Sequence, residues 1–340
     1  MVLSIIVPLY NVEKYIADCL NSIYNQEISE TKFEVICIDD YSPDNSKEIV
    51  KDHQKTHTNL RLIEHEVNKG LGGARNTGIK EAKGDYVWFI DSDDTIEDNC
   101  LSKIFITLEK IPDTLLFNYN EWNPLKNLKL KTFVFDDSDK LNGIEFIDKY
   151  FDSGFVYHLG YVWRMIIKRK LIIENKLKFP ENTWGEDTAF FPAAIIFSNS
   201  VISTNESFYN YRLNLNSATN TLKHEKKAKL IYEFAFGSAF ELIELNNKIK
   251  TLSPKYCNIF DRQVQKFCNQ FIFDLLKTNM IEKKSFFNLI SINKRELELL
   301  ICKMNYLNKF ICKHPKIGFL ITIIISPLYL LKRRILSNKN

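Results

Sequence analysis

The first hundred residues switch between two hydrophobic periods in strict alternation, and few folds accept that pattern. Residues 4–8 form a short apolar run of the strand kind. Val12, Tyr15, Ile16, Cys19, Leu20, Ile23 and Tyr24 then recur at i, i+3, i+4, i+7, i+8, i+11 and i+12, one stripe of an amphipathic helix. Residues 33–38 are again almost continuously apolar, as a strand covered on both faces must be. Ser42 and Pro43 offer an N-cap and a proline for a first helical position. Residues 60–65 predict a third strand, 71–82 a third helix ending at Gly84, and 86–90 a fourth strand. Strand, helix and strand at this spacing imply right-handed crossovers and a mostly parallel, Rossmann-like α/β sheet flanked by helices. Ligands of such sheets bind beyond the carboxyl ends of the strands. Asp39-Asp40 and Asp91-Ser92-Asp93-Asp94 fall there, directly after the second and fourth strands.

From 112 to 155 the pattern weakens to one strand at 114–119 among polar loops, and its order stays open. The 340 residues suggest two units, and 45% hydrophobic content with 11 Gly and 9 Pro excludes disordered and collagen-like chains. The boundary is expected near 220. Residues 1–220 form the α/β unit; residues 221–340 form a helical one, with a stripe at Ile231, Phe234, Ala235, Ser238 and Leu242. Charge divides in the same place. Residues 1–222 carry 24 Lys and Arg against 33 Asp and Glu, a balance of −9, and residues 223–340 carry 22 against 9, or +13, which restores the overall +4. The acidic front excludes a nucleic-acid binder, and the basic rear favours an anionic lipid surface, a phosphate-bearing substrate or an acidic glycan.

Seven cysteines without a CxxC pair argue against a disulfide framework or zinc site, and for a reducing compartment, the cytoplasm. The apolar start lacks a basic flank and is interrupted by Pro8, so it reads as a strand and not as a secretion signal. Residues 317–331 are apolar and are followed at once by Lys332, Arg333 and Arg334. As a helix these 15 residues would reach only about 22 Å against roughly 30 Å of hydrocarbon, and Pro327 interrupts them. They are expected to lie in an anionic membrane surface from the cytoplasmic side; the competing reading is a packed C-terminal helix or a homodimer contact.

Grouped carboxylates repel one another unless a cation compensates. Asp91 and Asp93, with Asp94 beside them, can offer hard oxygen ligands to Mg²⁺ or Mn²⁺, ions that keep waters and bridge to phosphate oxygens. Glu186-Asp187, before a helix expected at 188–197, reads either as a proton-accepting pair or as acidic residues favoured at a helix start. Trp163 and Trp184 could floor a sugar site or fill the core.

Five segments in order, SIIVPLYNVEKYIADCLNSIYNQ (4–26), EVICIDDYSPDNS (34–46), NKGLGGARNTGI (68–79), GDYVWFIDSDD (84–94) and WGEDTAFF (184–191), resemble the family 2 glycosyltransferases, inverting nucleotide-sugar enzymes of the GT-A fold. The resemblance implies that Pro8 and Tyr10 pack against the nucleotide base, that Asp40 binds uracil, and that Arg75 lies near the diphosphate and base. It places Asp91 at the ribose and the metal, and Asp93 on the metal, with Asp94 sharing that role. Asp187 becomes the catalytic base with Glu186 in support, and the segment of Tyr211-Arg212 with Ser217 closes over the diphosphate. The family's DDGS has glycine where this chain has Tyr41, which puts the shape of the base pocket in question. The implied reaction moves a hexose or N-acetylhexosamine from a UDP-sugar to a hydroxyl of a lipid-linked or growing glycan of the bacterial surface. A nucleotidyltransferase is the rival, disfavoured because Pro8-Leu9-Tyr10-Asn11-Val12 lacks a basic glycine-rich loop; an inactive sugar-binding module is disfavoured because every expected carboxylate is present.

Overall fold

The computed structural model describes residues 1–126, 128–132, 135–151, 161–181, 185–213, 243–247, 280–292 and 312–316. The chain divides into two compact units, Met1–Asn214 and Leu215–Asn340. The second unit contributes a helix, Met280–Ile292, with Phe286, Phe287 and Ile290 buried. The apolar run 317–331 with its basic end 332–334, Trp184, Ser217 and the expected stripe at 231–242 lie outside the described residues.

The first unit is built on β1 (Leu3–Leu9), β2 (Phe33–Asp39), β3 (Leu60–Glu64) and β4 (Tyr86–Phe89), joined through α1 (Ile16–Tyr24), α2 (Ser46–Gln54) and α3 (Gly70–Glu81). These strands pair in parallel in the order β3-β2-β1-β4, and β1 and β2 are buried along their whole length. Pro8 is tolerated in a central strand because pairing of β1 with β4 ends at Ile6↔Phe89, before the missing N–H would be needed on that side.

Beyond β4 the sheet turns mixed. β8 (Met165–Lys168) and β6 (Thr114–Asn123) run antiparallel to their inner neighbours, β9 (Val201–Arg212) is parallel to β6, and β5 (Thr95–Ile96) closes the row antiparallel to β9. β7 (Leu128–Thr132) forms a hairpin with β6. The parallel half is therefore what the alternation at the start of the chain predicts; of the mixed half, β6 and β7 fall in the 112–155 stretch whose pattern is weak, and β8 and β9 follow it. Helices α4 (Cys100–Leu108), α5 (Gly143–Phe151), α6 (Arg169–Glu174) and α7 (Asp187–Ile196) complete the unit.

Two helix starts differ from the sequence reading. Val12–Tyr15 form a turn, and α1 begins at Ile16 after Asn11 in a left-handed conformation, φ 58°. The helix expected from Ser42-Pro43 begins at Ser46 instead. The Ser42 N–H donates to Asp39 Oδ1 at 3.2 Å, and Asp44 accepts from the N–H groups of Ser46 and Glu13. The segment 40–45 is thus used to turn the chain at the sheet edge before the helix can start.

The glycines of α3 explain its seat. A Cβ on Gly78 would stand 2.3 Å from Ile6 Cγ2, and one on Gly72 would stand 2.1 Å from the carbonyl oxygen of Pro180. Their absence lets the helix lie close on β1 and beside the chain that leads to α7. Gly78→Ala is expected to cost roughly 1–3 kcal/mol by overpacking. In chemical denaturation, its combination with Ile6→Ala should cost less than the two single changes together, since the clash is removed.

Candidate active site

Two acidic turns and one helix start meet at the carboxyl edge of the sheet. Asp40 follows β2, Asp91–Asp94 follow β4, and Glu186-Asp187 open α7. Phe179 and Phe190 stack at 4.0 Å, and both meet Phe89 of β4 edge-on at 5.1 and 5.8 Å. These rings fasten α7 to the end of β4. Gly185, at φ 76°, supplies the left-handed turn before Glu186.

Arg75 joins the acids. It is 1% exposed, and its guanidinium donates to Glu186 Oε1 and, at 2.7 Å, to Asp91 Oδ1, with Asp187 Oδ1 at 3.9 Å. Burial works against its charge, but Asp91, Glu186 and Asp187 outweigh that and raise its pKa. The sequence reading set Arg75 beside the donor's diphosphate and base; here its two terminal nitrogens are engaged by carboxylates of two different segments. Asp187 is held well above the usual carboxylate range, by burial first and then by the charge of Glu186, with Arg75 opposing.

The turn 91–94 is held from the other side by β9. The Tyr209 hydroxyl donates to Asp94 Oδ2 at 2.7 Å and accepts from the Asp91 N–H at 3.1 Å. The Arg212 N–H donates to Asp94 Oδ1 at 2.7 Å. Both oxygens of Asp94 therefore have internal donors, so it ties the turn to β9. The Arg212 guanidinium donates to the Asp93 carbonyl and to Asp18 Oδ2, both at 2.9 Å, and lies 4.3 Å over the Trp122 ring.

Asp93 is in a different situation: burial and the neighbouring charge of Asp91 push its carboxyl up to about 6. Around the site five carboxylates, Asp91, Asp93, Asp94, Glu186 and Asp187, face two guanidiniums, Arg75 and Arg212. Among the described residues no three His, Cys, Asp or Glu converge as a metal cage. An all-oxygen donor set with excess negative charge and few protein ligands fits a Mg²⁺-like ion that draws its remaining ligands from phosphate and water.

At the neighbouring edge Asp40 is buried, and its Oδ1 accepts from the Lys69 N–H and meets His65 Nδ1, each at 2.8 Å. His65 Nε2 lies 2.9 Å from the Thr77 hydroxyl of α3. Pro8 is buried, whereas Tyr10 and Tyr41 stand exposed on either side of Asp40 in sequence. Tyr41 has φ 64°, a left-handed conformation that explains why glycine suits this position. The sequence reading gave His65 and Tyr209 no role. The signal for His65 was its place directly after the third strand, on the same edge as Asp40.

A profile of the glycosyl transferase family 2 matches residues 4–120. The chain is 31% identical over 250 residues to the uncharacterized glycosyltransferase EpsJ of Bacillus subtilis, covering 69% of this chain and 71% of that protein. It is 33% identical over 213 residues to the poly(ribitol-phosphate) beta-glucosyltransferase of Bacillus spizizenii, covering 62% of this chain and 32% of that one. Among solved structures, S. aureus TarS 1-349 in complex with UDP-GlcNAc shares the fold, with a TM-score of 0.64 at 22% identity over 98% of this chain and 92% of that one.

Tyr209→Phe removes one hydroxyl from two buried partners and leaves an Asp94 oxygen without its donor. It is expected to lower stability by about 1–3 kcal/mol in urea denaturation, with little change in packing volume.

Proposed function

The chain belongs to the family 2 glycosyltransferases, and from that premise we propose that it is an inverting enzyme that moves a hexose or N-acetylhexosamine from a UDP-sugar to a hydroxyl of a lipid-linked or growing surface glycan. The observation that carries this reading is the Arg75 cluster, which gathers Asp91, Glu186 and Asp187 at the carboxyl edge of the sheet. Two relatives support the donor and the product class: TarS was crystallised with UDP-GlcNAc, and the B. spizizenii protein is a beta-glucosyltransferase.

In this reading Asp187 takes the proton of the acceptor hydroxyl as the new bond forms. Glu186, fixed by Arg75, keeps the pair in place and raises the proton affinity of Asp187. Asp93, with the Asp91 oxygen that Arg75 does not hold, would bind Mg²⁺ or Mn²⁺. When bound, that ion would neutralise charge developing on the diphosphate leaving group. Arg212 holds the turn in place through Asp93 and Asp94 and contributes positive charge beside it. Pro8, Tyr10 and Asp40 form the base side of the donor site, where Tyr41 in place of glycine adds an exposed ring. One in-line displacement makes a β linkage from an α-linked donor. The basic stretch 223–340 and the apolar run 317–331 support a lipid-linked acceptor held at an anionic membrane.

Asp187→Asn is expected to keep UDP-sugar affinity in calorimetry while turnover falls about 10²–10⁴-fold. Because the base acts deprotonated, kcat/KM should fall as pH falls, with a midpoint above the ordinary carboxylate value. Glu186→Gln removes a charge that raises Asp187, so it should move that midpoint to lower pH. Mg²⁺ or Mn²⁺ should raise the Tm of the wild type in the presence of UDP, and Asp93→Asn should abolish that rise. Turnover unaffected by EDTA would count against the metal.

A further inference from the structure

Four aromatic rings start at the acidic turn and run outward from it. Tyr209, whose hydroxyl bridges Asp94 and the Asp91 N–H, is fully buried and stacks on Trp163 at 4.4 Å with 11° between planes. Trp163 is 2% exposed and is fixed from behind, since its carbonyl accepts from Trp88 Nε1 of β4 at 2.8 Å and Tyr119 meets it edge-on at 4.9 Å. Trp163 is therefore a core residue, the second of its two sequence readings.

The same indole also aligns two further rings, Tyr161 at 5.0 Å and 11° and Tyr211 at 6.0 Å and 14°. These are the ones that reach solvent: Tyr161 is 37% and Tyr211 39% exposed. Tyr209 and Tyr211 stand two residues apart on β9, so both point to one face of the sheet. Both exposed phenols sense the site. Burial, then Tyr119, then Asp187 raise the pKa of Tyr161; burial, then Asp94, and further Asp93 and Asp91 raise that of Tyr211.

We infer that Tyr161 and Tyr211 form the acceptor platform of this enzyme, and that the platform takes a pyranose ring. This deepens the proposed function and rests on it. The argument is geometric. Two open aromatic surfaces, each within 14° of the plane of one buried indole that stacks on Tyr209, offer rigid flat faces linked through Tyr209 to the acidic turn. A sugar chair has a fixed apolar C–H face that matches such a surface, and its hydroxyls remain free for Asp187. Little side-chain entropy is lost on binding, because the tyrosines are already aligned by Trp163. An acyclic polyol such as ribitol phosphate has no fixed face to present and must freeze several bonds to make one. The inference therefore separates this chain from its relative that acts on poly(ribitol-phosphate).

The test uses the full-length protein with two probe sets: methyl β-pyranosides and short pyranose oligosaccharides, and ribitol phosphate with poly(ribitol-phosphate). Saturation-transfer NMR reads binding without turnover, and acceptor-dependent UDP release gives kcat and KM. Pyranosides are expected to bind through the ring C–H groups and to stimulate UDP release, while the ribitol probes do neither. Tyr161→Ala and Tyr211→Ala should each raise the acceptor KM about tenfold or more, with the larger part of the effect in KM; Tyr161→Phe and Tyr211→Phe should restore it. UDP affinity by calorimetry serves as the control for folding in all four variants. An unchanged acceptor KM in both Ala variants, or ribitol probes that bind as well as pyranosides, would overturn the inference. Failure of the wild type to bind UDP, with pyranoside contacts to the two tyrosines intact, would overturn the proposed donor and leave the platform standing.

Discussion

One buried guanidinium organises the catalytic edge of this protein. Arg75 reaches from α3 to Asp91 at the end of β4 and to Glu186 and Asp187 at the start of α7, more than a hundred residues away in sequence. Three clustered carboxylates would otherwise shed their charge by taking up protons, and the geometry between Glu186-Asp187 and the acidic turn would be lost. With the arginine present they can stay together, and breaking such a buried pair typically costs about 3–5 kcal/mol. The Phe89, Phe179 and Phe190 cluster acts alongside it, because it fixes the α7 backbone that presents the two acids.

The two halves of the edge are kept in different electrostatic states. On the side of α7, Arg75 balances part of the charge of Glu186 and Asp187. On the side of the turn, Asp94 is consumed by Tyr209 and Arg212, whereas for Asp93 burial and the charge of Asp91 outweigh a backbone hydrogen bond and the charge of Arg212. A carboxylate in that state gains most from an incoming cation, whereas a fully bonded one gains little. Adjacent acids in one tetrapeptide thus divide into one that builds the turn and one that is available to a ligand.

The parallel half of the sheet was legible because β1, β2 and β4 are buried along their whole length and α1 carries a single apolar stripe, so the two periods are easily told apart there. The acids were legible too, from their place after strands and from the resemblance of five segments. What the sequence does not expose is partnership. Arg75 in a glycine-rich helix looks like a phosphate ligand, and its burial against Glu186 depends on a fold that joins residues 111 apart. The role of Tyr209 depends on β9 running beside β6 and β5, in a region where alternation is weak. Tyr161 and Tyr211 are invisible as a pair because Tyr161 and Trp163 lie in the short turn before β8 and Tyr211 lies on β9, 48 residues after Trp163. At the sheet edge, Ser42-Pro43 looked like a helix start because that pair suits an N-cap and a first helical turn, but the Ser42 hydroxyl caps no N–H, and Asp39 and Asp44 hold the segment as a turn instead.

The latch from β9 also bears on how the protein is made. Asp94 receives its donors from Tyr209 and Arg212, and Asp18 receives the Arg212 guanidinium from 194 positions downstream. A ribosome delivers residues in order, and the four parallel strands are complete at residue 89. The acidic turn therefore emerges long before the strand that secures it and the pair that would act as base. During synthesis the nascent chain carries the four parallel strands before the acidic edge can be closed, and the closing contacts span long stretches of sequence. Translation itself thus sets the order in which the two sides of the acidic edge can be joined.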